Sequence, residues 1–173
     1  MHHEAYYFIK EALTRIPPRS VVVEYGGRNI NGTVKDLFEG VPSYTSIDIV
    51  LGPGVDRMAD AVTYIPEQVP DTVVCCEVLE HSPKWPDIVK AAGRILDPEK
   101  GVLLLTCATI GRTPHSGLDG GPLRGFEHYK NVDPMEMSNV LEQAGFQEFE
   151  MEVLDNKGDL QVLAWKKERD DVR

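Results

Sequence analysis

The stretch Val21–Gly32 constrains the fold most: a β-branched apolar run ends at an acid and is followed at once by two adjacent glycines. A third glycine comes five residues after the pair, and apolar residues at helical spacing begin at Val34. This order is typical of a buried strand, a tight turn and a helix, which we expect over 20–25 and 32–39. Glycines let backbone N–H groups approach a ligand closely, and a helix N-terminus favours negative charge. The turn is therefore a candidate ligand site.

The remaining pattern alternates strands with helices. Such alternation is typical of a mostly parallel sheet covered on both faces. A helix over 3–16 should end at Pro17-Pro18, because proline breaks a helix. The further predicted elements are strands 44–50, 55–58, 71–76, 101–107, 147–154 and 160–166, a helix capped by Ser82 with Pro83 in its first turn, a helix capped by Asp133 and ended by Gly145, a turn over 155–159 and a frayed charged tail over 167–173.

Composition narrows the class of protein. A chain of 173 residues is expected to form one domain, 1–173, with an N-terminal helical segment over 1–17. No apolar run is long enough for a membrane span and no leader is visible, so no membrane partner is expected. The net charge of −10 opposes long contacts with nucleic acid. The three cysteines lack C-x-x-C spacing, which favours buried free thiols and a cytoplasmic location.

The glycine turn also discriminates between cofactors. The dinucleotide fingerprint G-x-G-x-x-G, counted from Gly26, requires glycine at the positions held by Arg28 and Asn31. An NAD-linked oxidoreductase is therefore disfavoured. Glu24 lies two residues before the first glycine, where a carboxylate can accept hydrogen bonds from an ammonium group. S-adenosylmethionine presents such a group at its methionine end, and we expect it as the cofactor.

Acidic residues follow the next strands in register. Asp48 ends the second predicted strand, where an acid can accept from both ribose hydroxyls of a nucleoside. Asp60 follows the third strand and can accept from an adenine amine. Glu77 follows the fourth. Four acids in equivalent positions after four strands are better explained by one nucleoside-binding site than by four unrelated loop carboxylates.

With these residues in place, the chain resembles the class I S-adenosylmethionine-dependent methyltransferases over roughly 18–166. The residues that carry the resemblance are Glu24-x-Gly26-Gly27, Asp48, Asp60-Ala61, the run 77–81, the run 95–103 that leads into strand five, and Ala144-Gly145-Phe146. The resemblance implies a Rossmann-like, doubly wound α/β fold whose seven-stranded, mostly parallel sheet has its last strand antiparallel and helices on both faces.

The same resemblance implies the residues that contact the cofactor. Arg28 departs from the family's Gly-x-Gly loop, and we expect it to pair with the cofactor carboxylate. A second departure is Glu99-Lys100 in place of one glycine before strand five. The implied contact set is Glu24, Tyr25, Gly26, Gly27, Arg28, Asp48, Ile49, Asp60, Ala61 and Glu77.

The long segment 108–131, called the lid loop below, leaves the carboxyl end of a central strand, where ligands bind in open α/β sheets. Long loops in compact domains are usually functional or disordered. This one contains five glycines and also His115, Arg124, Phe126, His128 and Tyr129. We expect an acceptor-site lid that orders on binding.

Histidines are the candidate catalytic groups. His81, directly after the fourth strand, and His128, from the lid loop, can act as bases if the acceptor is a hydroxyl. If their turn is helical, Glu77, Glu80 and His81 share one face. They then resemble the metal-binding Glu-x-x-Glu-His of ubiquinone-pathway and small-RNA O-methyltransferases, with His128 or His115 as a further ligand. We nevertheless expect no metal, because a fourth ligand must come from the lid loop.

The sequence thus predicts an S-adenosylmethionine-dependent methyltransferase that acts by in-line displacement on a small-molecule acceptor. The small acceptor follows from the size of the chain, which leaves no extra domain to grip a large substrate. Two alternatives are a cofactor-binding module without turnover and a metal-assisted O-methyltransferase using Glu77, Glu80 and His81.

Overall fold

The structure is a computed structural model that describes residues 3–154 and 157–168. The predicted tail beyond residue 168 and positions 155–156 of the predicted turn lie outside the described residues. The helices are α1 (His3–Thr14), α2 (Trp85–Ile95) and α3 (Pro134–Gln143), with short 3₁₀ turns at Lys35–Phe38 and Leu79–His81. The strands are β1 (Val21–Tyr25), β2 (Ser43–Asp48), β3 (Arg57–Met58), β4 (Thr72–Cys76), β5 (Val102–Ala108), β6 (Glu148–Leu154) and β7 (Asp159–Trp165).

The strands form one seven-stranded sheet in the order β3-β2-β1-β4-β5-β7-β6. Strands β1 to β5 are parallel, whereas β7 runs antiparallel to both β5 and β6. The predicted doubly wound sheet with its last strand antiparallel is confirmed. The strand order reverses between β1 and β4, because the chain first proceeds outward to β3 and then returns. In open α/β sheets the crevice at such a switch point is where ligands bind.

Both faces of the sheet are covered, which explains why its central strands have nearly continuous apolar runs. Alternate residues of a strand point to opposite faces. Val22 and its neighbours pack with Ile9 of α1. Val23, on the other face, belongs to the core that includes Ile88 of α2 and Leu141 of α3. Within the described residues, no helix is long and apolar enough to cross a bilayer.

The helix starts were predicted with mixed success. Asp133 caps α3 as predicted, and its carboxylate accepts from the N–H groups of Met135 and Glu136. The predicted cap at Ser82 is wrong: α2 begins at Trp85 with Lys84 at the N-cap, and the Ser82 hydroxyl accepts from the Lys84 N–H instead. The segment between β4 and α2 is therefore longer than predicted.

The predicted helix over 32–39 is also wrong. Only Lys35–Phe38 folds helically, as a single 3₁₀ turn. Gly32 has a φ of +132°, which a right-handed helix cannot contain, and its N–H donates to the Asn29 side chain. Gly40 follows with a φ of +85°. The glycine turn after β1 therefore leads into an irregular segment, so any anion bound there does not lie on an α-helix N-terminus.

Candidate active site

A cavity of about 410 Å³ opens at the carboxyl ends of β1, β2 and β4. Its walls come from the glycine turn, the ends of β2 and β3, the turn after β4 and part of the lid loop. The predicted site residues that line it are Glu24, Gly26, Gly27, Arg28, Asp48, Ile49, Asp60, Ala61, Glu77, His81 and His128.

Tyr25 is the predicted contact residue that does not line the cavity. Its side chain is fully buried in the core that α2 and α3 cover, and its hydroxyl has no hydrogen-bond partner. The reason is the alternation of strand side chains, since Glu24 next to it points to the other face. Tyr25 therefore packs in the core instead of presenting its side chain to a ligand.

Glu24 places a carboxylate at the floor of the cavity. It is 6% exposed, and its Oε2 atom has no hydrogen-bond partner. Burial raises the pKa of this carboxyl group, and the neighbouring hydroxyls of Tyr44 and Ser46 offset only part of that effect. A buried carboxylate oxygen without a completed hydrogen bond is costly, so Oε2 is suited to a ligand that brings a cation or a donor.

The two glycines are required by the close packing of the turn against neighbouring side chains. Gly26 has a φ of +72°, and a Cβ there would lie 2.2 Å from a methyl carbon of Val78. A Cβ on Gly27 would lie 1.7 Å from the Ser46 hydroxyl and 2.7 Å from Glu24 Oε2. A residue with a side chain would therefore not fit at either position without displacing Val78 or Ser46.

Arg28 connects the glycine turn to the lid loop. Its Nη2 donates to the Gly117 carbonyl at 3.0 Å, while its buried Nε has no hydrogen-bond partner. Within 3–154 and 157–168, no carboxylate forms an ion pair with it. Its guanidinium therefore lines the cavity with donor capacity left for an acidic group.

Asp48 and Asp60 also line the cavity. Asp48 accepts from the Val50 N–H at 2.9 Å through Oδ1 and from the Arg28 N–H at 3.4 Å through Oδ2. The first of these bonds ends β2 at residue 48, two residues before the predicted end. Asp60 accepts from the Val62 N–H at 2.9 Å. Ile49, between the two acids in the cavity wall, is 71% exposed and supplies an apolar surface.

Glu77 has a strained backbone. Among the described residues, Glu77 is the one non-glycine residue with a positive φ, which is +58°. Its carboxylate accepts from the Thr106 hydroxyl at 2.9 Å and lies 4.0 Å from a guanidinium nitrogen of Arg112. Strain of this kind persists where surrounding contacts enforce it, often at functional sites. The Glu77 side chain is thus held against β5, on one border of the cavity.

His81 stands in a cluster with two residues of the lid loop. Its ring centroid is 5.0 Å from that of His115 and 5.4 Å from that of Tyr129. Burial and the nearby His115 lower the pKa of His81 to about 4. The adjoining Glu80 is fully buried, and burial together with the Glu77 charge raises its pKa. Glu80, His81 and His115 are among the candidate ligands that the sequence analysis grouped at one site, and the structure places these three together.

The lid loop carries its own network of polar contacts. Ser116 donates to Glu127 at 2.7 Å, and Arg124 pairs with Asp119. The N–H of Lys130 donates to the Glu80 carbonyl at 2.8 Å, which fastens the end of the loop to the turn after β4. These bonds and the contact to Arg28 hold the loop across the cavity, with the exposed His128 at its rim.

Comparison with known proteins agrees with this geometry. Residues 1–150 match the family model described as "Methyltransferase domain". The chain belongs to this methyltransferase family, and the predicted membership in the class I S-adenosylmethionine-dependent methyltransferases is confirmed. A search of curated protein sequences finds no significant match.

Solved structures share the fold. The CMeT domain of the citrinin polyketide synthase superposes with a TM-score of 0.66 at 18% identity, over 96% of this chain and 52% of that one. The chain thus spans about half the length of that structure. DhpI, solved with S-adenosylhomocysteine, superposes with a TM-score of 0.67 at 18% identity, over 93% of this chain and 83% of DhpI. The Burkholderia thailandensis 1,6-didemethyltoxoflavin-N1-methyltransferase superposes with a TM-score of 0.62 at 14% identity, over 94% of this chain and 77% of that enzyme.

Proposed function

We propose that this protein transfers a methyl group from S-adenosylmethionine to a small-molecule acceptor by in-line displacement. The observation that carries the proposal is Glu24, a buried carboxylate with an unpartnered Oε2 at the floor of a cavity in a methyltransferase fold. The cofactor's methionine end has an ammonium group that satisfies this atom. Both glycines line the cavity beside this carboxylate, and the turn requires glycine there because side chains would collide with Ser46 and Val78.

The other cavity residues fit the rest of the cofactor. Arg28 has an unpartnered Nε and no ion pair among the described residues, which suits the carboxylate of the methionine end. Asp48 suits the ribose hydroxyls, while Ile49, Asp60 and Ala61 offer apolar and accepting surface for the adenine. When bound, S-adenosylmethionine supplies a methyl group on a sulfonium sulfur that an acceptor can attack from the opposite side.

The acceptor site lies toward the lid loop. His81 and His128 line the cavity there, opposite the nucleoside wall. Burial keeps His81 neutral at neutral pH, so its imidazole can accept a proton or a hydrogen bond from an acceptor hydroxyl. The lid loop shields the reacting atoms from water and helps to hold the acceptor near attack distance, which itself supplies much of the rate.

A small acceptor is favoured by the single sheet and its one covering loop. Within the described residues, one helix-covered sheet and the lid loop surround the cavity. The Burkholderia thailandensis neighbour was solved with a small molecule, 1,6-didemethyltoxoflavin, and S-adenosylhomocysteine bound. We propose the same class of acceptor here.

Turnover tests the function directly. The protein should release S-adenosylhomocysteine from S-adenosylmethionine when it is incubated with a panel of hydroxylated and heterocyclic small molecules, detected by mass spectrometry. Binding of S-adenosylhomocysteine without turnover across the panel would favour the alternative, a cofactor-binding module without activity. Failure to bind it at all would contradict the proposal.

Asp48→Ala should weaken S-adenosylhomocysteine binding at least tenfold in calorimetry. A charge-assisted hydrogen bond contributes about 1.5–3 kcal/mol, and Asp48 also orients the Arg28 amide. Asp87→Ala, at an exposed position of α2 outside the cavity wall, is the matched control and should leave the affinity unchanged. Equal affinities of the two variants would show that Asp48 does not hold the ribose.

A further inference from the structure

Arg28 joins two segments that border the cavity, the glycine turn after β1 and the lid loop. Its Nη2 donates to the Gly117 carbonyl at 3.0 Å, and its own backbone N–H donates to Asp48 Oδ2 at 3.4 Å. The aliphatic part of its side chain packs on Gly52, where a Cβ would lie 2.9 Å from the Arg28 Cγ and Cδ atoms. The guanidinium is therefore held at the junction of the glycine turn and the lid loop.

The Arg28 guanidinium has donors left after its bond to the lid loop. A guanidinium carries five N–H donors in a planar fork, and only Nη2 is bonded to Gly117. The buried Nε has no hydrogen-bond partner, and no carboxylate in the part of the chain that the structure describes forms an ion pair with this side chain. A ligand carboxylate can therefore occupy the free donors while the bond to Gly117 persists.

The part of the lid loop that Arg28 holds is a preformed turn next to His81. The Ser116 N–H donates to the Gly121 carbonyl at 2.8 Å, and the Gly120 N–H donates to the Ser116 carbonyl at 2.9 Å. Gly117, within this turn, lies against the imidazole, because a Cβ there would be 3.0 Å from the His81 Cγ and Nδ1 atoms. The position of this turn therefore sets how closely the lid loop covers His81.

We propose that Arg28 couples cofactor binding to closure of the lid loop, because its guanidinium binds the cofactor carboxylate and the Gly117 carbonyl at the same time. The coupling rests on the proposed function and deepens it. A bound carboxylate fixes the guanidinium, so the bond to Gly117 forms from an ordered donor. The closed loop in turn strengthens cofactor binding, since coupling between two binding events is reciprocal. The cofactor thereby closes the loop over His81 before the acceptor reacts. A Gly-x-Gly loop, with glycine in place of Arg28, lacks this link.

Two ligands that differ only in the carboxylate test the coupling in the wild-type chain. They are S-adenosylhomocysteine and its decarboxylated form, which keeps the ammonium group and the nucleoside. Hydrogen exchange over 113–129 is measured by mass spectrometry on the full-length protein, free and saturated with each ligand, with saturation checked by calorimetry. S-adenosylhomocysteine should slow exchange there by about tenfold or more, and the decarboxylated form by less than about threefold. Equal slowing by the two ligands overturns the coupling.

Arg28→Met removes the guanidinium and keeps an unbranched side chain. In this variant S-adenosylhomocysteine should slow exchange over 113–129 no more than the decarboxylated form does in the wild type. Lys35→Met is the matched control and should keep the wild-type response, because Lys35 is the next cation along the chain and pairs with Asp56 outside the cavity wall. A wild-type response in Arg28→Met also overturns the coupling.

The design separates the two proposals. The comparison of the two ligands in the wild type decides on its own if Arg28→Met does not fold. S-adenosylhomocysteine that binds the wild type without slowing exchange in the lid loop refutes the coupling alone. Absence of S-adenosylhomocysteine binding to the wild type contradicts the proposed function itself.

Discussion

Glu24→Gln is expected to weaken S-adenosylhomocysteine binding at least tenfold while the protein stays as stable as the wild type or becomes more stable. The affinity falls because the buried carboxylate loses its charge-assisted bond to the ligand ammonium, worth about 1.5–3 kcal/mol. The stability follows from the pKa of Glu24, which burial raises in the folded protein. A carboxyl group whose pKa is raised on folding contributes stability at low pH that is lost as pH rises through the folded pKa. At neutral pH the neutral amide avoids that loss.

Calorimetry and thermal melting at neutral pH check both halves of this expectation. Glu152→Gln, at an exposed position of β6, is the matched control and should change neither the affinity nor the melting temperature. An unchanged affinity in Glu24→Gln would place the methionine end elsewhere. A marked fall in melting temperature would show that Glu24 stabilises the fold and is not a carboxylate kept for a ligand.

Arg19→Ala should lower the free energy of unfolding by about 3–5 kcal/mol, the usual cost of removing one partner of a buried ion pair. Arg19 and Asp71 are 6% and 5% exposed, and their charged groups approach to 3.3 Å before the starts of β1 and β4. Arg19 also donates to the Thr72 hydroxyl at 2.6 Å and to the Asp71 and Lys100 carbonyls. Its loss leaves the buried Asp71 without a counter-ion beside the two central strands, although Asp71 keeps its hydrogen bonds from the Ser20 N–H and the Thr72 hydroxyl.

Urea unfolding followed by circular dichroism measures this effect, which is large against a typical total stability of 5–15 kcal/mol. The matched control is Arg57→Ala, whose partner Glu67 is 74% exposed and whose own side chain is 49% exposed. Solvent-exposed pairs contribute about 0–1 kcal/mol, so this variant should unfold close to the wild-type midpoint. Similar losses in the two variants would contradict the assigned role of the buried pair.

The features that could be predicted from the sequence are those that depend on local pattern. Apolar strand runs that alternate with helices predicted the parallel sheet. The acids after each strand predicted that a ligand site lies at the carboxyl ends of the strands. Parallel strands all end at the same edge, so Glu24, Asp48 and Asp60 converge although they are distant in the chain. The helix expected over 32–39 failed because the φ of Gly32 and the Asn29 side chain override a short apolar repeat.

The features that could not be predicted depend on contacts between distant segments. Sequence analysis grouped Glu80 with His115 only through a resemblance, and their contact depends on the lid loop, which is fastened to the turn after β4 by the Lys130 amide. The expectation of no metal depended on the need for a further ligand from the lid loop. The structure places His115 of that loop beside His81, and the expectation stays a prediction. Tyr25 shows that a position inside a recognised motif does not by itself predict where the side chain points. It lies within the motif that carries the resemblance, but strand alternation turns its side chain into the core.

A crystal structure with S-adenosylhomocysteine tests the central claim most directly. The ligand is predicted to fill the cavity at the switch point, with its ammonium group on Glu24, its carboxylate on Arg28, its ribose on Asp48 and its sulfur turned toward His81. Density for the ligand elsewhere on the protein, or a cavity that stays free of it at saturating concentration, would contradict the account.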